Sequence, residues 1–179
     1  CPTLLENGFG DHRLEGIGDK HIPWVHNVKN TDIVMALDDE DCMRFIRLCN
    51  EPEGKKYLSS LGLSEEFISR LDLMGISGAA NVLMAVKMAK YYELTSKDVV
   101  LTVFTDSMEM YGSRVAEMQE KEPKYTQLEA SRDHARHVLG VRTDNLLEMN
   151  YKEKKRVHNL KYYTWVEQQG KTSEELNAQ

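Results

Sequence analysis

The sequence predicts an α/β fold: a three-layer αβα arrangement with a mostly parallel sheet, followed by a helical C-terminal extension. Three observations lead there. Two short apolar runs, Ile33–Leu37 and Val99–Phe104, are each followed by a turn and a helical pattern. A helix that is apolar almost all round, over about 78–93, stands between them. An order of strand, helix, strand, helix implies a layered structure with right-handed crossovers. After about residue 115 only helical patterns follow, so the expected domains are 1–115 and 116–179.

The elements follow in order. Residues 1–31, with Gly8, Gly10, Gly16 and Gly18, read as loop and turn. Ile33-Val34-Met35-Ala36-Leu37, flanked by Asp32 and Asp38, suits a buried strand. Asp38 is placed to cap a helix over about 39–49, with Asp39, Glu40 and Asp41 at its positive end. Pro52 opens the next helix at its first turn. Ser64-Glu65-Glu66 begins another, to about Leu71. The long helix over 78–93 carries small residues that permit close packing. Thr95–Asp98 is a turn, Val99–Phe104 a second buried strand, and a helix runs from about Met108 to Lys121. Helices over about 125–139 and 151–168 end near Gly140 and Gly170. Thr172-Ser173-Glu174-Glu175 is a capping box for a last short helix.

The chain has 179 residues, 41% of them hydrophobic and 29% charged, which is enough to bury a core. A net charge of −6 and the absence of a basic stripe argue against nucleic acid as a partner. No run approaches the roughly 20 apolar residues of a membrane span. Cys1, Cys42 and Cys49 form neither a CxxC pair nor an even framework, which suits reduced thiols in the cytoplasm. The opening Cys1-Pro2-Thr3 suits a processed product or a fragment.

Two turns stand out chemically. Gly75-Ile76-Ser77-Gly78 opens the apolar helix, where glycines admit a ligand to the backbone and unpaired N–H groups are available. Capping by Ser77 is the plainer reading of the same residues. Thr105-Asp106-Ser107 follows the second strand, and ligands in open α/β sheets sit outside strand carboxyl ends. If both turns leave parallel strands, they share one sheet edge. Glu15-Gly16-Ile17-Gly18-Asp19 lacks the third glycine of a dinucleotide fingerprint. His134 and His137, three apart beside Glu129 and Asp133, have a metal-ligand spacing but read more simply as a solvated helix face. Tyr162, Tyr163 and Trp165 form a packing stripe, and Lys152, Lys154, Lys155 and Arg156 an exposed face.

Read together, three motifs in order resemble the second half of a pyridoxal-phosphate enzyme of the cysteine synthase family, fold type II. Glu15-Gly16-Ile17-Gly18-Asp19 with Ile22-Pro23 is similar to the family's GIG…IP segment. Gly75-Ile76-Ser77-Gly78-Ala79-Ala80 is similar to its GISSGAA segment, and Asp106-Ser107-Met108-Glu109-Met110-Tyr111-Gly112-Ser113 to DSGERYLS. The resemblance covers about residues 8–115; Tyr163–Gly170 resembles a long-chain subgroup known as pyridoxal-phosphate-dependent β-subunit proteins. It implies pyridoxal 5'-phosphate as cofactor, an amino-acid substrate, and β-elimination or β-replacement. By the same resemblance Ser77 hydrogen-bonds the pyridine nitrogen, Gly16, Ile17 and Gly18 lie beside the ring, and Asp106 and Ser107 form the strand end next to it. Gly78 replaces the family's second serine, Met108 and Met110 its glycine and arginine, and Lys20-His21 its usual small and aromatic pair.

The family's Schiff-base lysine and its GxGGT phosphate loop have no match here, and Lys20, Lys87 and Lys90 stand outside the lysine's motif. No catalytic residue is therefore assigned. The chain alone is expected to be inactive and to need an N-terminal half or a partner chain; homo-oligomerisation is the family's expectation. A non-catalytic or regulatory subunit keeping the fold is the second reading. A nucleotide-binding doubly wound domain using the same turns is the third.

Overall fold

The structure is a computed structural model and describes residues 2–7, 12–14 and 16–179. Cys1, Glu15 and the expected turn at Gly8 and Gly10 lie outside the described residues. The chain forms two compact units, one of Cys1–Arg13, Ile17–Ala36 and Asp144–Gln179, the other of Leu14–Gly16 and Leu37–Thr143.

The second unit is helical. Helix α1 (Asp39–Asn50) is capped by Asp38, whose carboxylate accepts from Glu40 N at 2.8 Å, and its first turn holds Asp39, Glu40 and Asp41. This satisfies an end donor and places negative charge at the positive end of the helix. Pro52 opens α2 (Pro52–Ser60), and Ser64 caps the short α3 (Glu65–Ile68). Helix α4 (Ile76–Tyr91) begins two residues before its expected start. A 3-10 turn over Met108–Tyr111 leads into α5 (Gly112–Lys121), and α6 (Gln127–Asp133) continues as a wider turn over His134–Leu139.

The core of this unit gathers Cys42, Met43, Ile46 and Cys49 of α1 with Ile76, Ala79, Ala80 and Leu83 of α4. Alanines at the contact let the two backbones approach. A neighbouring cluster joins Leu48, Leu58, Ile68, Tyr125 and Ala130. Arg47, 4% exposed, is held by Glu122 Oε2 at 2.5 Å, Glu51 Oε1 at 3.4 Å and Pro123 O at 2.9 Å, and it lies over the Tyr125 ring. A guanidinium so enclosed requires these partners, because an unpaired buried charge is prohibitive.

The first unit contains the sheet, two strands only. β1 (Ile33–Met35) pairs antiparallel with β2 (Leu146–Glu148), Val34 opposite Leu147. Helix α7 (Tyr151–Lys161) packs Val157 against Ile22, Val34 and Met149. Arg156 donates to the carbonyls of Leu4 and Leu5, and Trp165 Nε1 to Ile22 O at 2.7 Å. The expected aromatic stripe therefore divides: Trp165 is half-buried, while Tyr162 and Tyr163 are exposed. The basic face divides likewise, Lys152 and Lys155 exposed, Lys154 and Arg156 half-buried and bonded to carbonyls. Thr172 and Glu175 form the expected capping box of α8 (Ser173–Asn177).

The expected three-layer αβα fold with a mostly parallel sheet is not what the chain adopts. The strand at Ile33 pairs backwards with a segment that carried no strand signal, and Val99–Phe104 is extended but joins no ladder. A strand acquires its backbone hydrogen bonds from neighbours, and among the described residues none lies beside this one. Val99, Leu101 and Val103 consequently stand 82%, 90% and 66% exposed. No single helix among the described residues is long and apolar enough to cross a membrane.

Candidate functional site

Gly75, not Ser77, caps α4, in an extended conformation and without a side-chain bond. Ser77 falls inside the first turn and is 3% exposed. The capping reading of Ser77 is thereby removed: its hydroxyl is a buried polar group at the positive end of a 16-residue helix.

The Thr105–Ser107 turn comes to the same place. Gly75 N donates to Asp106 O at 3.0 Å, and Asn81 Nδ2 donates to Val103 O at 2.8 Å. A Cβ on Gly75 would collide with Asp106 Oδ1, and one on Gly78 would lie 3.1 Å from Phe104 Cδ1. Glycine at 75 and 78 thus lets residues 103–106 lie directly on the start of α4. The two turns are neighbours as expected, but through contact with the helix rather than through a shared sheet edge. Gly78, which replaces the family's serine, sits where a side chain would force Phe104 or Met74 to shift.

Gly16 completes the corner. Its φ of +94° is a conformation that L side chains resist, and an added Cβ would stand 2.6 Å from Ser77 Oγ and 3.9 Å from Tyr111 Oη. Tyr111 donates to Asp106 Oδ2 at 2.5 Å. Asp106 Oδ1 is buried without a hydrogen-bond partner. Gly16, Ser77, Asp106 and Tyr111 are therefore gathered within one unit, and Tyr111 is the member that the motif reading did not assign. Its contact with Asp106, five residues upstream, is a side-chain pairing that sequence spacing does not reveal. Ser107 is half-buried and caps the following turn without a side-chain bond. Ile17, 39% exposed, and Gly18, half-buried, belong to the other unit, so the expected ring-side segment continues past Gly16 in a separate body.

The corner offers a buried neutral hydroxyl, a backbone that only glycine permits, and an orphaned carboxylate oxygen. The neutral hydroxyl and the glycine backbone fit the nitrogen edge of a flat heteroaromatic ring such as the pyridine of pyridoxal phosphate, with the Asp106 carboxylate turned to Tyr111. Lys90 Nζ is bound by the carbonyls of Leu139 and Val141 at 2.6 and 2.8 Å, Lys87 is buried in α4, and Lys20 is exposed.

The histidines at 134 and 137 face protein, which corrects the solvated-face reading. His134 Nδ1 lies 3.2 Å from Tyr57 Oη and His137 Nδ1 2.6 Å from Asp41 Oδ1. No cluster of three or more metal-ligating side chains occurs among the described residues. Cys42 and Cys49 are buried thiols that form no disulfide, and burial pushes the Cys49 thiol up to about 12, which removes its nucleophilic form at neutral pH.

No protein-family profile matches the chain, and no solved structure does. The chain is similar to cysteine synthase B of Campylobacter jejuni, 30% identical over 112 residues. The aligned stretch covers 63% of this chain and 30% of that protein, so the chain spans about a third of the length of the relative it matches.

Proposed function

We propose that this chain supplies the cofactor-nitrogen wall of a pyridoxal-phosphate-dependent lyase or transferase that acts on β-substituted amino acids. The observation that carries the reading is the convergence of Gly16, Ser77 and Asp106, from three separate motifs, on one corner. Similarity to a cysteine synthase supports it independently. The finer assignment, to a long-chain β-subunit group, rests on Tyr163–Gly170 alone.

When bound, the cofactor supplies the electron sink for breaking bonds at the amino acid's α and β carbons. Ser77 orients the ring by donating to its nitrogen. A hydroxyl, unlike a carboxylate, does not keep that nitrogen protonated, which favours loss of a β-substituent over transamination. Gly16 keeps the ring face clear of side-chain atoms. Tyr111 fixes the Asp106 carboxylate by its 2.5 Å bond, so the turn that borders the ring edge is held in place.

The aligned stretch spans a third of its relative, and Val99–Phe104 presents exposed apolar side chains and joins no strand ladder among the described residues. Both support a requirement for further polypeptide, covalent or in trans, carrying the lysine and the phosphate loop. Co-purification with such a polypeptide and formation of pyruvate from β-chloroalanine test this. Activity only in the combined sample is the expected result. A combined sample that binds cofactor yet leaves β-chloroalanine intact would favour the regulatory-subunit reading.

A further inference from the structure

Ile17 and Gly18, assigned above to the ring side, lead through Asp19 to His26 within the first unit, and donors outside this segment set its course. Trp165 Nε1 donates to Ile22 O at 2.7 Å, and Lys161 Nζ donates to Trp24 O at 3.0 Å and to His26 O. Gln179 Nε2 is a second donor to Trp24 O, at 3.0 Å. Nearer the glycines, Thr3 Oγ1 donates to Asp19 O at 2.7 Å. The carbonyls of the alternate residues 22, 24 and 26 are thus taken up by the C-terminal segment, while His21, Pro23 and Val25 are exposed. Inside the segment, His21 N donates to Asp19 Oδ1 and His26 N to Pro23 O, each at 3.0 Å. These are two local turns, and the course of the backbone that joins them rests on the outside donors.

Lys161 is 1% exposed, and its third acceptor is Gln179 Oε1 at 2.5 Å. An ammonium enclosed by neutral oxygens gives up its hydration, and burial holds it below the ordinary lysine range. A methionine would fill the same space without that cost. What the ammonium adds is three N–H donors at one point, which can fasten two carbonyls of one loop together. The tilted Trp24 and Trp165 rings, 5.8 Å apart, pack against each other in the same contact. The bonds from Trp165 and Lys161 to the segment end on backbone carbonyls, so they specify its course rather than the identity of its side chains.

We propose that Trp165 and Lys161 are positioning residues for the cofactor site: they clamp Ile22–His26 and thereby fix the segment that borders the ring. This role rests on the cofactor reading, and it makes the C-terminal segment part of the machinery of the site without contact with the reacting atoms.

Trp165→Phe keeps an aromatic ring beside Trp24 and removes the indole N–H, and Lys161→Met keeps the buried stem and removes the donors. Amide hydrogen exchange by NMR is the first readout, on the full chain. The His21 and His26 amides are expected to exchange about ten-fold faster in Trp165→Phe, with the amides of α7 around Val157 unchanged. Lys161→Met is expected to release the His26 amide likewise, and Trp165→Phe decides the matter if the methionine variant does not fold. The second readout is on the complete protein, with its lysine-bearing polypeptide. There Trp165→Phe should weaken the visible circular dichroism of bound pyridoxal phosphate and lower kcat for β-chloroalanine about ten-fold, with the cofactor still bound. Native exchange at His21 and His26, or equal acceleration throughout α7, overturns the clamp. Loosened amides with native dichroism and native kcat overturn its role in the site. A native complete protein that binds no pyridoxal phosphate instead overturns the cofactor reading, and the positioning role falls with it.

Discussion

Gly16 has a left-handed conformation and a Cβ position 2.6 Å from Ser77 Oγ. Gly16→Ala should therefore cost about 1–3 kcal/mol, from backbone strain and collision together. Urea unfolding measures it, and Ser77→Gly in the same chain should restore only the steric share. Histidine titration gives a second prediction. His26 and His158 are both held below the ordinary 6.5, by burial first and then by Lys161. Between the folded values and 6.5 the unfolded chain binds more protons. Stability therefore falls as pH drops through about 6.5 and levels off below the folded values. The urea midpoint from about pH 8 to pH 5 should show this slope, and His26→Gln with His158→Gln should flatten it. Gly16, Ser77 and Asp106, which the structure gathers in one corner, stood out in the sequence because glycine, serine and aspartate in fixed spacings leave marks on it. Tyr111 did not, since its role depends on a side-chain contact that spacing alone does not reveal.

Three helix starts followed their sequence signals, because capping is local physics, while α4 starts at Gly75 rather than at Ser77. Asp38 accepts from Glu40 N, Ser64 from Phe67 N and Thr172 from Glu175 N, as their positions suggested. Asp38→Ala and Thr172→Ala should each cost about 1 kcal/mol in chemical denaturation. Strands did not follow, because a strand's existence depends on a neighbour elsewhere in the chain. Leu146–Glu148 has no distinctive pattern and pairs with β1, whereas Val99–Phe104 has a strong pattern and pairs with nothing among the described residues. A continuous apolar run of this kind suits burial on both faces. Leu101→Lys should change the stability of the chain alone by no more than about 0.5 kcal/mol, since the side chain is already 90% exposed. The same substitution should abolish association with a lysine-bearing polypeptide, read by size-exclusion chromatography. A large loss of stability in the chain alone would mean that the segment is covered within it.

At the scale of the whole molecule, Leu14–Gly16 belongs to one unit and the residues just after it to the other. The loop with the family's first motif is thus divided between two bodies, a feature that no local pattern could indicate. The corner proposed to border the cofactor gathers Gly16, Ser77, Asp106 and Tyr111 within one unit. The most direct test of its role is the absorption spectrum of bound pyridoxal phosphate in the complete protein, compared between native and Ser77→Asp forms. If Ser77 faces the ring nitrogen, the aspartate keeps that nitrogen protonated, shifts the visible band and lowers the β-elimination rate by at least ten-fold, about 1.4 kcal/mol. An unchanged band and rate in a folded Ser77→Asp protein would contradict the assignment of this corner to the cofactor.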